Sequence, residues 1–264
     1  MTYSNIKNIS IAIPTYNSSQ YLAEALKSLL KFKCVDEVVI QDDGSDSKER
    51  ESIKKIVNGF EKKLDISFYF NEKNLGAFQN KYLNIQNCKN EFVYQLDSDN
   101  VVACNLDKVT RTIQSDNFLY IPSKIYQFRK YRQLSKFLSI FNKKYRVTYV
   151  NQDFIYSLKK IKSEIDGEEK FTNEKNINWV LNSGNFIVNK EKYLNFMSDG
   201  FKDSLRPQMD AVAISFFWLK FGGEIKSLKN LKHFHRKRSD SVSFTEKDGS
   251  FESLQDYRAK ILSL

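Results

Sequence analysis

Short apolar runs and helical stripes alternate along the first half of the chain. Ile9 to Ile13 is a β-branched run that stops at Pro14 and predicts a buried strand. After the polar turn 15–19, Leu22, Ala25, Leu26, Leu29 and Leu30 recur at helical spacing and predict an amphipathic helix, with Ser18 or Ser19 as N-cap. Glu37 to Gln41 is a second strand, followed by the polar loop 42–46 and a helix over roughly 47–60 that carries Ile53, Ile56, Val57 and Phe60 on one face. Ile66 to Phe70 predicts a strand, Leu75 to Cys88 a helix, and Phe92 to Leu96 a strand that runs into Asp97-Ser98-Asp99. A helix from about Leu106 and a strand over Phe118 to Ile121 complete the series. This alternation predicts an α/β fold with a mostly parallel central sheet flanked by helices. Ligands of such folds bind beyond the carboxyl ends of the strands, where loops 14–19, 42–46 and 97–100 converge.

The second half is less regular. Residues 124–146 are basic and aromatic and are expected to be helical in part; 159–178 are charged, weakly patterned and expected to form a mobile loop. Phe186 to Val188 is a strand candidate, Pro207 to Phe221 a buried helix with Pro207 near its first turn, and Ser253 to Leu264 a terminal helix.

Composition narrows the classes. The 264 residues correspond to one large domain, or a domain with an appendage, and bury a full core without disulfides. The 3 cysteines, Cys34, Cys88 and Cys104, have neither zinc-knuckle nor CxxC spacing, and a reducing compartment is the simple reading. No signal peptide is visible, and the longest uncharged apolar stretch, Ala211 to Leu219, is far short of the ~18–20 residues of a membrane span. The net charge of +10 calls for an anionic partner: nucleic acid, an anionic membrane or a phosphorylated ligand. No nucleic-acid reader motif, GxGxxG turn or GxxxxGK[ST] loop is present.

Asp97 and Asp99 at a strand end can share a divalent cation, and hard oxygen ligands suit Mg²⁺ or Mn²⁺; a solvated turn or helix cap is the plainer reading of the same pair. Asp42-Asp43-Gly44-Ser45 is either a turn with Gly at positive φ or a carboxylate placed to accept the N3–H of a pyrimidine. Asp210 opens an apolar helix, where an Asp is normally a favourable dipole partner.

Five segments in order carry a resemblance: ISIAIPTYN at 9–17, VVIQDDGSD at 38–46, NLG at 74–76, EFVYQLDSDN at 91–100 and NSGNFIV at 182–188. Together they resemble the nucleotide-sugar-binding core of the inverting family 2 glycosyltransferases with the Rossmann-like GT-A fold. The likeness covers residues 7 to about 121 and, more loosely, 182–243. It implies that Pro14, Thr15 and Tyr16 pack around a uracil and ribose, and that Asp43 binds the uracil. Lys81 falls where the family usually has an Arg near the nucleobase and diphosphate, its alternative being a solvated helix lysine. Asp97 lies near the ribose with Ser98 beside it in the donor loop, and Asp99 matches the metal ligand; Asn100 stands where a third acid is often found. Gly184 and Asn185 match the turn that approaches the donor sugar, or form an ordinary turn before a strand. Asp210 matches the catalytic base, although Met209 precedes it where the family has an acid or Gly. In Lys232-His-Phe-His-Arg236, His235 is the fitting residue for the metal and Arg236 for the diphosphate, with His233 the second choice for the metal.

The resemblance thus implies a metal-dependent inverting transferase using Mn²⁺ or Mg²⁺. It moves a sugar from a nucleotide-diphosphate sugar, in the first place a UDP-sugar, to a glycan or glycolipid hydroxyl in surface glycan or polysaccharide synthesis. Residues 1–121 form the nucleotide-sugar-binding half, 122–180 a basic, partly helical insertion, and 181–264 the acceptor half with a C-terminal helix. The expected location is cytoplasmic, with peripheral contact between 124–146 and an anionic membrane as one reading of the insertion and simple packing with a solvated basic face as the other. The rival function is a catalytically degenerate relative acting as a basic membrane- or anion-binding module. A nucleotidyltransferase with a similar DSD–metal site is a further alternative.

Overall fold

A computed structural model of the chain describes residues 7–128, 145–149, 154–167, 174–207, 209–236 and 254–264. Strand β1 (Ile9–Thr15) pairs in parallel with β2 (Val35–Asp42), β2 with β3 (Ile66–Phe70), and β1 with β4 (Phe92–Gln95). The interleaved helices are α1 (Ser19–Leu29), α2 (Ser47–Asn58) and α3 (Ala77–Gln86). A two-residue strand β5 (Val101–Val102) and the short α4 (Leu106–Thr110) lead into β6 (Phe118–Phe128). Then come β7 (Tyr145–Tyr149), β8 (Ile155–Tyr156), α5 (Leu158–Asp166), α6 (Glu174–Leu181) and β9 (Phe186–Asn189). The chain closes with α7 (Lys190–Lys202), α8 (Asp210–Lys220), β10 (Glu224–His235) and α9 (Leu254–Ser263).

The sheet runs β3-β2-β1-β4-β9-β6-β10-β5, with β7 on β6 and β8 on β10. Strand β9 is antiparallel to both β4 and β6, and β6 is parallel to β10. The two-residue period of the strands divides the core between the faces. Ile9, Ile11 and Ile13 of β1 and Val38 and Ile40 of β2 meet Leu22, Leu26 and Leu29 of α1 and Ile53 and Val57 of α2. Ala12 and Val39 point the other way, toward Phe78, Tyr82 and Ile85 of α3, Met197 of α7 and Trp218 of α8.

Three expectations are corrected. Residues 124–128 and 145–146 are not helical: they continue β6 and begin β7, because this stretch pairs with β10 and back on itself. The remainder of the basic stretch, 129–144, and with it the membrane-contact reading, lies outside the described residues. Within 159–178, α5 and α6 replace the expected mobile loop, each burying a narrow apolar edge, Ile161 and Ile177, against the α3–α8 side of the sheet; 168–173 lie outside the described residues. The buried helix starts at Asp210 rather than Pro207. The N-cap position of α1 is Ser18, yet its hydroxyl does not cap the helix: it is engaged by Ser98 at 2.8 Å.

Candidate active site

Parallel pairing puts the ends of β1, β2 and β4 at one edge, and hydrogen bonds stitch their loops together. Thr15 O accepts from Asp43 N at 2.9 Å, and Thr15 Oγ1 donates to Asp42 Oδ1 at 3.1 Å. Asn17 N donates to Ser45 Oγ at 2.9 Å. Asp42, fully buried, takes Ser45 N and Ser45 Oγ and so holds its own turn. Pro14 is half-buried, and Tyr16, 44% exposed, stands out from the loop with Asn17.

Asp43 is buried and organises the next loop. Its Oδ1 accepts from Asn71 Nδ2 at 2.9 Å and Leu75 N at 2.8 Å; its Oδ2 accepts from Gly76 N at 2.9 Å. Burial pushes the Asp43 carboxyl above the ordinary aspartate value, against the pull of these N–H donors. The NLG segment is thereby held at the start of α3.

The centre of the site is an ion-pair triad. Lys81 Nζ lies 3.1 Å from Asp97 Oδ1 and 2.7 Å from Asp210 Oδ2. Lys81 is 5% exposed, so it is not the solvated helix lysine that its sequence context also allowed. Burial by itself would lower its pKa, but the charges of Asp210 and Asp97 more than reverse this and hold the ammonium above its ordinary value. Asp210 stands in the first turn of α8, and Arg206, a few residues earlier in the chain, donates to Asn74 O.

Asn185 is buried, and its amide is engaged at both ends: Oδ1 accepts from Asp97 N at 2.8 Å, and Nδ2 faces His233 Nε2 at 3.2 Å. It holds the Asp97 loop rather than presenting a free amide to a sugar. His233 is fully buried; burial first and the neighbouring His235 second push its pKa well below the ordinary value, so it is a neutral partner of Asn185. His235 is half-buried at the end of β10, its ring 6.2 Å from that of His233. Arg236 N donates to Asn100 Oδ1 at 3.1 Å, which docks the end of β10 on the 97–100 loop. The Arg236 side chain is already committed: it donates to Asp99 O at 3.3 Å, pairs with Glu24 and stacks over Tyr21 at 4.7 Å. Sequence reasoning missed Asn71, Glu24 and Arg206, whose partners lie in distant segments.

Among the described residues no group of three His, Cys, Asp or Glu side chains forms a closed metal cage. The Arg236–Asn100 bond joins the segments that carry His235 and Asp99. A carboxylate and an imidazole are a donor set of the kind that Mg²⁺ or Mn²⁺ could complete with ligand phosphates and water.

The sequence profile described as glycosyl transferase family 2 matches residues 10–194, and the chain belongs to that family. A glycosyltransferase of Mycoplasma genitalium, MG060, is 35% identical over 35% of the chain and 32% of its own length. The glycosyltransferase GlyG of Streptococcus pneumoniae is 25% identical over 92% of the chain and 75% of its own length. The chain thus spans about a third of one relative and three quarters of the other. Among solved structures, S. aureus TarS 1–349 in complex with UDP-GlcNAc superposes with a TM-score of 0.56 at 18% identity, covering 90% of the chain and 61% of TarS. GalNAc-T7 with UDP, GalNAc and Mn²⁺ gives 0.61 at 15% identity, over 96% of the chain and 48% of that structure. The architecture is the GT-A fold implied by the motifs.

Proposed function

We propose that the protein transfers a sugar from a UDP-sugar to an acceptor hydroxyl on a glycan or glycolipid, inverting the anomeric centre. The observation that carries this reading is the meeting of Asp210, from the start of α8, with the Asp97 loop of β4 across Lys81. That meeting sets a carboxylate of the acceptor half beside the strand ends where the donor is expected. Pro14, Thr15 and Tyr16 line the nucleobase and ribose, and Asp43, whose Oδ2 carries a single N–H bond, accepts the uracil N3–H. Ser98, Gly184 and Asn185 shape the loop that holds Asp97 against the donor, and Arg236 braces the floor under the diphosphate. Asp210 takes the proton of the acceptor hydroxyl. The acceptor oxygen then bonds to the anomeric carbon from the face opposite the nucleotide, and the electron pair of the breaking C–O bond leaves with UDP. Asp99, with His235, would hold a divalent ion, which when bound neutralises charge on the leaving diphosphate. The complexes of TarS with UDP-GlcNAc and of GalNAc-T7 with UDP, GalNAc and Mn²⁺ support this class of donor and ion.

A panel of nucleotide-diphosphate sugars tests the reading. A UDP-sugar at about 100 times its Kd stabilises the folded chain by about 2.7 kcal/mol in the presence of Mn²⁺, read as a higher Tm, and chelator removes the shift. Asp210→Asn retains that binding and lowers UDP release by roughly 10²–10⁴-fold. Normal turnover by Asp210→Asn would reject the base assignment; indifference of the wild-type chain to every nucleotide would reject the whole reading.

A further inference from the structure

Lys81 is expected from the family resemblance to lie near the nucleobase and diphosphate, but its surroundings say otherwise. It sits in α3 between Asn80 and Tyr82, both buried, and its own side chain is buried with them. An ammonium has three N–H donors and no acceptor. Three protein oxygens surround it: Asp210 Oδ2 at 2.7 Å, Asp97 Oδ1 at 3.1 Å and the carbonyl of Gly184 at 3.5 Å. A phosphate oxygen that reached this ammonium would compete with two carboxylates already at ion-pair distance. A buried charge persists only when paired, and two carboxylates against one ammonium pair it fully.

The three partners come from three parts of the chain. Asp97 follows β4, Gly184 precedes β9, and Asp210 opens α8. One nitrogen atom therefore ties the Asp210 carboxylate to the Asp97 loop and to the turn at Gly184.

We propose that Lys81 is the positioning residue for Asp210: its ammonium grips Oδ2, which leaves Oδ1 to receive the acceptor proton, and it does not bind the donor diphosphate. The proposal rests on the reading of Asp210 as the base. During transfer the ammonium keeps its three protons. The hydroxyl proton ends on Asp210 Oδ1, the acceptor oxygen bonds to the anomeric carbon, and the sugar–diphosphate bond breaks with its electron pair going to UDP. Asp97, held by the same nitrogen, keeps the donor loop in register with the base.

The test separates kcat from binding in the full chain. Lys81→Met and Lys81→Arg are compared with wild type for UDP affinity by calorimetry with Mn²⁺. They are also compared for kcat and KM of UDP release from UDP-GlcNAc, or from whichever donor of the panel is turned over. Misplacing a reacting group by about 1 Å costs about 10²-fold, so Lys81→Met is expected to lower kcat by about that factor while the Kd for UDP holds. Lys81→Arg, which keeps the charge in a different shape, recovers part of kcat. If Lys81→Met does not fold, Lys81→Arg carries the same comparison, with kcat reduced and UDP affinity retained. An unchanged kcat at saturating donor, with UDP binding weakened about tenfold (1.4 kcal/mol), overturns the proposal and makes Lys81 a donor ligand. A wild-type chain that binds no nucleotide overturns the glycosyl-transfer reading and this proposal together; a wild-type chain that binds and turns over donor isolates the result to Lys81.

Discussion

A methyl group at residue 184 would stand 2.9 Å from Asp97 Oδ2 and 3.8 Å from Lys81 Nζ, so the turn before β9 approaches the triad as closely as a backbone can. Gly184→Ala is expected to push Asp97 off Lys81, at an overpacking cost of roughly 1–3 kcal/mol. The denaturation midpoint should fall accordingly. An unchanged midpoint would show that the loop has slack the structure does not display. At this scale the acids were the legible part. Asp43, Asp97 and Asp99 stand at the ends of apolar runs, and a strand end is a place that sequence can mark. Lys81 was not legible in the same way. Its neighbours in sequence are polar, and its two carboxylate partners are contributed by β4 and α8. The amide of Asn185 shows the same limit: its residue type suits a sugar hydroxyl, but folding directs it to Asp97 N and His233.

Gly44, between β2 and α2, has φ +75, and a Cβ there would lie 2.4 Å from the carbonyl carbon of Lys73 and 2.5 Å from the backbone nitrogen of Asn74. The obstacle is main chain, which cannot rotate away as a side chain can. Gly44→Ala is expected to destabilise the fold by about 2 kcal/mol or more, from left-handed strain and overlap together, read as a lower urea midpoint. A midpoint equal to wild type would mean that the two loops are not packed against each other. The elements around this turn, β1 to β4 and α1 to α3, were all legible in the sequence: β1, β2 and β4 are buried apolar runs and α1 and α2 bury regular stripes, while β3 is a β-branched and aromatic run at the sheet edge. Where that regularity lapses, so did the reading. The aromatic and basic residues 124–128 suit a helix as well as a strand, and the choice is made by β10 and β7 on either side. Helices α5 and α6 are amphipathic but only about two to three turns long and rich in charge, with Ile161 the one fully buried residue of α5, so an apolar edge this short was overlooked among the charges. Strand β10 escaped notice because its register against β6 shifts between Leu228 and Lys232, which interrupts the alternation.

The halves of the molecule are joined at the site by Lys81 on Asp210 and by Arg206 on the carbonyl of Asn74. The folded pKa of Lys81 is raised, so its protonated form favours the folded state. That contribution is complete below the ordinary lysine value of 10.5 and is lost as pH rises from there through the folded value. The stability gap between wild type and Lys81→Met should therefore be constant through neutral pH and narrow above about 10.5, measured by urea denaturation at each pH. A gap that closes already near neutral pH would contradict the pairing. Among the described residues no helix is long and apolar enough to cross a membrane.

Strand and helix order in the first half, the parallel sheet and the acids at its ligand edge follow from patterns a few residues long: periods of two and 3.6, turn residues and strand-end carboxylates. Those signals are local, so they survive without knowledge of the fold. The Lys81 triad, the double engagement of Asn185, and the closing of Arg236 onto Glu24 and the Asp99 carbonyl depend on which distant segments the sheet and helices bring within 3–4 Å. Hydrogen bonds and buried ion pairs are short-range and directional, and the chain separations they bridge leave no periodic trace. The family and the strand-end loops were legible from residue order, and the meeting of Asp210 with Lys81 came from packing.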